Sequence, residues 1–139
     1  MEGKFINGER NGKIIEYYEN GNLKFEGEYI NGKRNGKGKE YYFNDKIQFE
    51  GEYKNDERWD GKGYNIAGIM DFQLKDGNGN GKEYYNNGDL KFVGEYINGK
   101  RNGKGKEYNL FGLVEFEGGY LNGQRWNGKL KGYIIYIML

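Results

Sequence analysis

The chain has 139 residues, a formal net charge of +1 and a mean hydropathy of −1.06, and it contains no Cys, His, Ser, Thr or Pro. These absences remove thiol, hydroxyl and imidazole nucleophiles, the commonest general base, Cys/His zinc sites and the P-loop, which must end in Ser or Thr. With 17% aromatic residues the chain is too rich in rings for a disordered segment, so rings are expected to carry the burial that Leu and Val usually carry.

Lack of Cys fits a reducing compartment, Met1-Glu2-Gly3-Lys4 opens no signal peptide, and no apolar run approaches the roughly 20 residues of a membrane span. A soluble, cytoplasmic chain is expected. Its near-zero net charge gives no bulk attraction to nucleic acid, which is not expected as a partner.

One order of apolar, glycine and charged residues returns six times, in units 1–24, 25–48, 49–71, 72–91, 92–115 and 116–139. A period of this size marks a single repeat domain in which each unit buries its apolar face only against its neighbours. Function is then sought on a surface and not in a pocket of a globular core.

Unit one, MEGKFINGERNGKIIEYYENGNLK, has Met1 where the others have Phe. Unit two supplies the template. Phe25, Gly27 and Tyr29 alternate with Glu26, Glu28 and Ile30, a period of two that predicts a strand. Asn31-Gly32-Lys33-Arg34-Asn35-Gly36 holds two Asn-Gly pairs, the dipeptide best suited to a hairpin turn, and a second alternating run follows over 37–42. If 31–36 is the whole loop, Tyr29 faces Gly38, Glu28 faces Lys39 and Phe25 faces Tyr42. One face then carries rings lying over glycines, and the other carries Glu–Lys pairs.

Unit three keeps FEGEY but replaces Asn-Gly with Asn55-Asp56 and reads as inserting Trp59 into a turn. Unit four, FQLKDGNGNGKEYYNNGDLK, has lost four residues, so a bend or weak joint in the array is expected there. Its Asp76-Gly77-Asn78-Gly79-Asn80-Gly81 resembles half of an EF-hand loop, but position 12 is Asn87 and the flanks read as strands. A glycine-rich hairpin turn is the expectation, with no metal and no cofactor. Unit five restores the template. Unit six carries Trp126 and ends in the apolar run Tyr133-Ile134-Ile135-Tyr136-Ile137-Met138-Leu139, which is expected to cap the array or to pair with another chain.

The pattern F/Y-x-G-E-Y-x-N-G-x-R-N-G-K-G-x-x-x-Y, seen from Phe25 to Tyr42 and from Phe92 to Tyr108, resembles the MORN repeat, a β-hairpin motif of aromatic and glycine positions. Tyr29, Tyr53, Tyr96 and Tyr120 stand where that family often has Trp, and Asn35 and Asn102 where it often has His. The resemblance implies an all-β fold, an elongated single-layer antiparallel sheet of tandem hairpins with an aromatic-lined groove. It further implies a non-enzymatic scaffold or assembly protein, often dimeric, in the cytoplasm and at the cytoskeleton or a membrane, or an accessory segment of a larger enzyme. No catalytic residues transfer with it.

Two sets of candidate contacts follow. The aromatic stripe of Phe25, Tyr29, Tyr42, Phe49, Tyr53, Phe92, Tyr96, Phe116 and Tyr120 is the available core and a candidate groove for a partner protein, with Trp59 and Trp126 as lids or hot spots. Lys33, Arg34, Lys37 and Lys39, recurring as Lys100, Arg101, Lys104 and Lys106, are expected along one sheet edge, where they can meet an anionic phospholipid surface. The terminal run is the candidate for self-association.

Overall fold

The structure, a computed structural model, describes residues 2–6, 9–130 and 133–136, with side chains over 10–129. Every described element is a strand. The first seven are β1 (Glu2–Ile6), β2 (Glu9–Tyr17), β3 (Leu23–Ile30), β4 (Lys33–Tyr41), β5 (Ile47–Lys54), β6 (Glu57–Tyr64) and β7 (Met70–Leu74). The remaining six are β8 (Gly79–Tyr84), β9 (Leu90–Ile97), β10 (Lys100–Tyr108), β11 (Val114–Leu121), β12 (Gln124–Leu130) and β13 (Tyr133–Tyr136). Pairing is antiparallel and follows chain order, in a seven-stranded sheet of β1 to β7 and a six-stranded sheet of β8 to β13. The all-β hairpin array expected from the repeats is therefore the fold.

The hairpin register differs from the six-residue loop expected above. Asn31 and Gly32 alone make the turn, with φ of 51° and 79°, and Ile30 pairs with Lys33 and Tyr29 with Arg34. Two residues with positive φ match the twist of the flanking strands, so the first Asn-Gly closes the hairpin. The second, Asn35-Gly36, becomes a bulge: the register jumps from Tyr29–Arg34 to Gly27–Gly38, and Glu26 then faces Lys39 and Phe25 faces Glu40. Gly36 has φ of 98°, and the Glu28 carboxylate accepts the Lys37 N–H across the bulge at 3.1 Å. Glu28 thus clamps the bulge and does not face Lys39.

This register aligns glycines into a row across each sheet. Gly27, Gly38, Gly51 and Gly61 are successive partners in the first, and Gly81, Gly94, Gly105, Gly118 and Gly128 in the second. The Phe25 ring fills the space a side chain at Gly38 would need, its nearest atom 2.7 Å from where a Cβ would stand. Rings then interlock along the sheet: Phe25 meets Tyr29 and Tyr53 edge-on at 5.9 and 5.4 Å, and Phe92 meets Tyr96 and Tyr120 at 5.7 and 5.2 Å. The expected cover of glycine by rings holds.

Trp59 and Trp126 lie in strands β6 and β12 and not in turns. Each is a one-residue bulge, skipped between Tyr53–Arg58 and Glu52–Asp60 and between Tyr120–Arg125 and Gly119–Asn127. They replace the two-residue Asn-Gly bulge of the template and insert nothing.

Unit four is where the ladder breaks. Between β7 and β8 the described pairing is a single bridge, Lys75–Asn78, beside the Asp76-Gly77 turn. The shortened hairpin lets its neighbours close over it. Lys100 of unit five pairs with Glu57 of unit three at 2.6 Å, and the Phe43 N–H of unit two reaches the Asn86 carbonyl of unit four at 3.2 Å. The expected joint in unit four is a fold in the array.

Candidate interaction surface

The aromatic stripe is not an open groove. Phe25, Tyr42, Phe49, Phe92 and Phe116 are at most 1% exposed, and Tyr29, Tyr53, Tyr96 and Tyr120 at most 9%. A single sheet buries one face only if something roofs it, and here the roof is made of ion pairs. The Arg34 guanidinium lies 4.0 Å from the Phe25 ring centre and Arg101 lies 4.1 Å from that of Phe92. A flat, weakly hydrated cation suits that position.

Each guanidinium belongs to a Tyr–Glu–Arg cluster built from consecutive units. The Tyr29 hydroxyl donates to Glu16, which Arg34 meets at 3.2 Å. Tyr53 donates to Glu40 at 2.7 Å while Arg58 grips the same carboxylate with two bonds of 2.9 Å. Tyr96, Glu83 and Arg101 repeat this, as do Tyr120, Glu107 and Arg125. Burial pushes the Glu40 carboxyl up, but the charges and hydrogen bonds of Arg58, then Arg34 and the Tyr53 hydroxyl, outweigh it and hold the group at about 2. Burial, and then the Glu40 charge, push the Tyr53 phenol well above its ordinary value. These groups are neutralised in pairs and serve the core.

The clusters are legible in the sequence once the register is known: Glu, Tyr and Arg recur at 16/29/34, 40/53/58, 83/96/101 and 107/120/125. The series skips one junction, where Gly63 occupies the Glu position opposite Phe49 and the four-residue deletion in unit four removes the Tyr and Arg positions together. All three charges and hydroxyls vanish at once, as expected if leaving one alone would strand a buried polar group. That junction is the break between the sheets.

The basic residues do not form a row. Arg34 and Arg101 are drawn into the roof, 19% and 18% exposed, and Lys100 and Lys106 pair with Glu57 and Glu117 at 2.6 and 2.8 Å. Lys37 and Lys39 face Glu52 and Glu50 in the middle of the sheet, because the two-residue turn moves them inward from the edge. Lys33 and Lys104 are exposed.

What the sheet presents outward is a chequerboard. Lys13, Glu28, Lys37, Glu52 and Asp60 succeed one another across β2 to β6, beside a second row of Glu26, Lys39, Glu50 and Lys62. Between the rows the glycines leave bare backbone, and the result is a groove of about 900 Å³ on the first sheet, with a hollow of about 620 Å³ on the second between Val93, Lys106 and Asn127. Its walls come from the Glu and Lys positions that the alternating pattern placed on the face opposite the rings, Lys37 and Lys39 among them. Among the described residues no cluster of carboxylates suits a metal ion.

The two tryptophans differ. Trp59 lies against Gly77 and Gly99, accepts the Gly77 N–H on its carbonyl at 2.6 Å, and has the Lys54 ammonium 4.5 Å from its ring. Trp126 is 41% exposed. At the end of the array Tyr133–Tyr136 pairs with β12, Ile135 taking the place opposite Gly128 that glycines take elsewhere; Ile137, Met138 and Leu139 lie outside the described residues.

Sequential hairpins stacked through a glycine row and interlocked rings define a tandem β-hairpin repeat protein. The MORN repeat model matches residues 25–46 and 92–108, and the MORN repeat variant matches 10–31 and 78–98. The chain thus carries MORN repeats in these two regions. No curated protein matches the chain. MORN repeats are protein- and membrane-interaction modules.

Proposed function

We propose that the chain is a non-enzymatic scaffold module that docks a partner protein on its Lys/Glu face. The observation that carries this reading is the burial of the aromatic face under its own Tyr–Glu–Arg roof, which leaves the charged groove opposite as the presented concavity. Complementary charge patterns steer encounter and fix register more than they add raw affinity, so binding is expected to be specific, salt-sensitive and moderate. Amine-directed crosslinking in the native cell tests it. Partner crosslinks should concentrate at Lys13, Lys37, Lys39 and Lys62, and Lys37→Glu with Lys39→Glu should abolish capture. Crosslinks confined to other lysines, or capture indifferent to those reversals, refute the reading.

A competing reading is peripheral contact with anionic phospholipid through Lys33, Lys37, Lys39 and Lys104, favoured by their exposure. Lysines interleaved with glutamates gain little from a negative surface. Sedimentation with anionic vesicles, strong at low salt and lost on Lys33→Glu with Lys104→Glu, would replace the scaffold reading.

A further inference from the structure

The groove on the first sheet crosses five strands, and each lends it three consecutive residues: 13–15 of β2, 26–28 of β3, 37–39 of β4, 50–52 of β5 and 60–62 of β6. The outer two of each triplet are its walls. In β3, β4 and β5 the two walls carry the same sign, Glu26 with Glu28, Lys37 with Lys39 and Glu50 with Glu52. The alternation of charge therefore runs across the strands only. A chain lying along the groove meets two carboxylates, then two ammonium groups, then two carboxylates.

These six charges do not neutralise one another. Opposite signs stand in register at Glu26–Lys39, Lys37–Glu52 and Lys39–Glu50, yet among the described residues no ion pair of 4.0 Å or less joins them. Uncharged donors hold three of the carboxylates in place instead. The Tyr41 hydroxyl donates to Glu26 at 2.5 Å, the Tyr64 hydroxyl to Glu50 at 2.7 Å and the Lys37 N–H to Glu28 at 3.1 Å. The second sheet lacks this arrangement. Val93 and Gly119 stand where a second carboxylate would accompany Glu95 and Glu117, and Lys106 pairs with Glu117 at 2.8 Å.

We propose that the groove takes an extended, polyproline-II-like segment of the partner protein with two arginines three residues apart and an acidic residue between them. Each arginine sits between the two carboxylates of β3 or of β5, and the acid sits between Lys37 and Lys39. The inference rests on the docking reading above and names the partner's chemistry. Neighbouring strands are about 4.8 Å apart, so β3 and β5 are about 9.6 Å apart. Three residues of polyproline II rise about 9.3 Å. A helix does not fit between the walls, because residues two apart on a strand are separated by about 6.8 Å and a helix with its side chains is about 10–12 Å across. The four intervals from β2 to β6 span about 19 Å, room for about six extended residues. Arginine suits the basic positions because its fork of donors can meet two carboxylates at once.

Two labelled peptides of about six residues and identical composition test this by fluorescence anisotropy with the full chain. One has the order Arg-Glu-Ala-Arg, and in the other the arginines are adjacent. The spaced peptide should bind at least about tenfold more tightly, and its binding should weaken in about 0.5 M salt. Glu52→Lys should remove the preference with the circular dichroism unchanged, and Glu50→Gln serves if that variant fails to fold. Equal affinities, or a preference that survives both variants, overturn the proposal, while partner crosslinks at Lys37 and Lys39 would still uphold the docking reading. No binding of either peptide up to about 1 mM also overturns it, and loss of those crosslinks as well removes the docking reading. Self-association blocked by Glu52→Lys, without peptide binding, overturns it too and assigns the groove to a second copy.

Discussion

Glu40→Gln isolates the contribution of one buried ion cluster. Glu40 accepts two bonds from Arg58 and one from Tyr53, and Arg34 lies 3.7 Å away. Its carboxyl is held at about 2 in the folded chain against an ordinary value of 4.5. The depressed folded value means that the stabilisation is fully present above pH 4.5 and is lost as pH falls toward 2. Each tenfold change in proton affinity is worth about 1.4 kcal/mol, so the linkage amounts to about 3 kcal/mol at pH 7 and about 1–2 kcal/mol at pH 3. The side chain is 17% exposed, so solvent screening is modest. An amide of the same shape leaves the Arg58 guanidinium without its counter-charge, while Arg34 keeps Glu16, and breaking a buried pair costs about 3–5 kcal/mol. Urea unfolding at pH 7 and pH 3, followed by far-ultraviolet circular dichroism, is the assay. The variant should be about 3 kcal/mol less stable at pH 7, with the gap roughly halved at pH 3. A loss below about 1 kcal/mol at pH 7, or a gap that does not narrow in acid, would refute the ion-pair roof.

Tyr53→Phe removes only the hydroxyl that donates to Glu40 and should cost about 2 kcal/mol in the same assay, as for a bond to a charged acceptor. Gly38→Ala puts a Cβ 2.7 Å from the Phe25 ring and should cost about 2–3 kcal/mol by overpacking. By contrast Gly21→Ala, where φ is +88° with nothing within 4 Å, should cost only about 1 kcal/mol of backbone strain. Equal urea midpoints for these two glycine variants would dismiss the ring-over-glycine account. Trp59→Ala, which strips the contact with the turns of units four and five, should lose about 2 kcal/mol. The exposed Trp126→Ala should lose less than about 1 kcal/mol, a difference readable in paired thermal melts.

Sequence alone determined the repeat, the strands, the hairpins and the ring-over-glycine face, because these depend on spacings of one or two residues and on local turn chemistry. Unit four's lost residues likewise marked the joint. Register was decided only in the folded chain. Two Asn-Gly pairs stood in each template loop, and which closed the turn and which formed the bulge depended on sheet twist and on the Glu28 clamp. That one choice moved Arg34 and Arg101 from the expected basic edge into the roof, turned the expected groove into a core, and put the lysines among the glutamates outside. Contacts between residues 13 to 18 positions apart in successive units, such as Glu40 with Tyr53 and Arg58, depend on how hairpins stack. Only tertiary packing brings them within hydrogen-bond reach.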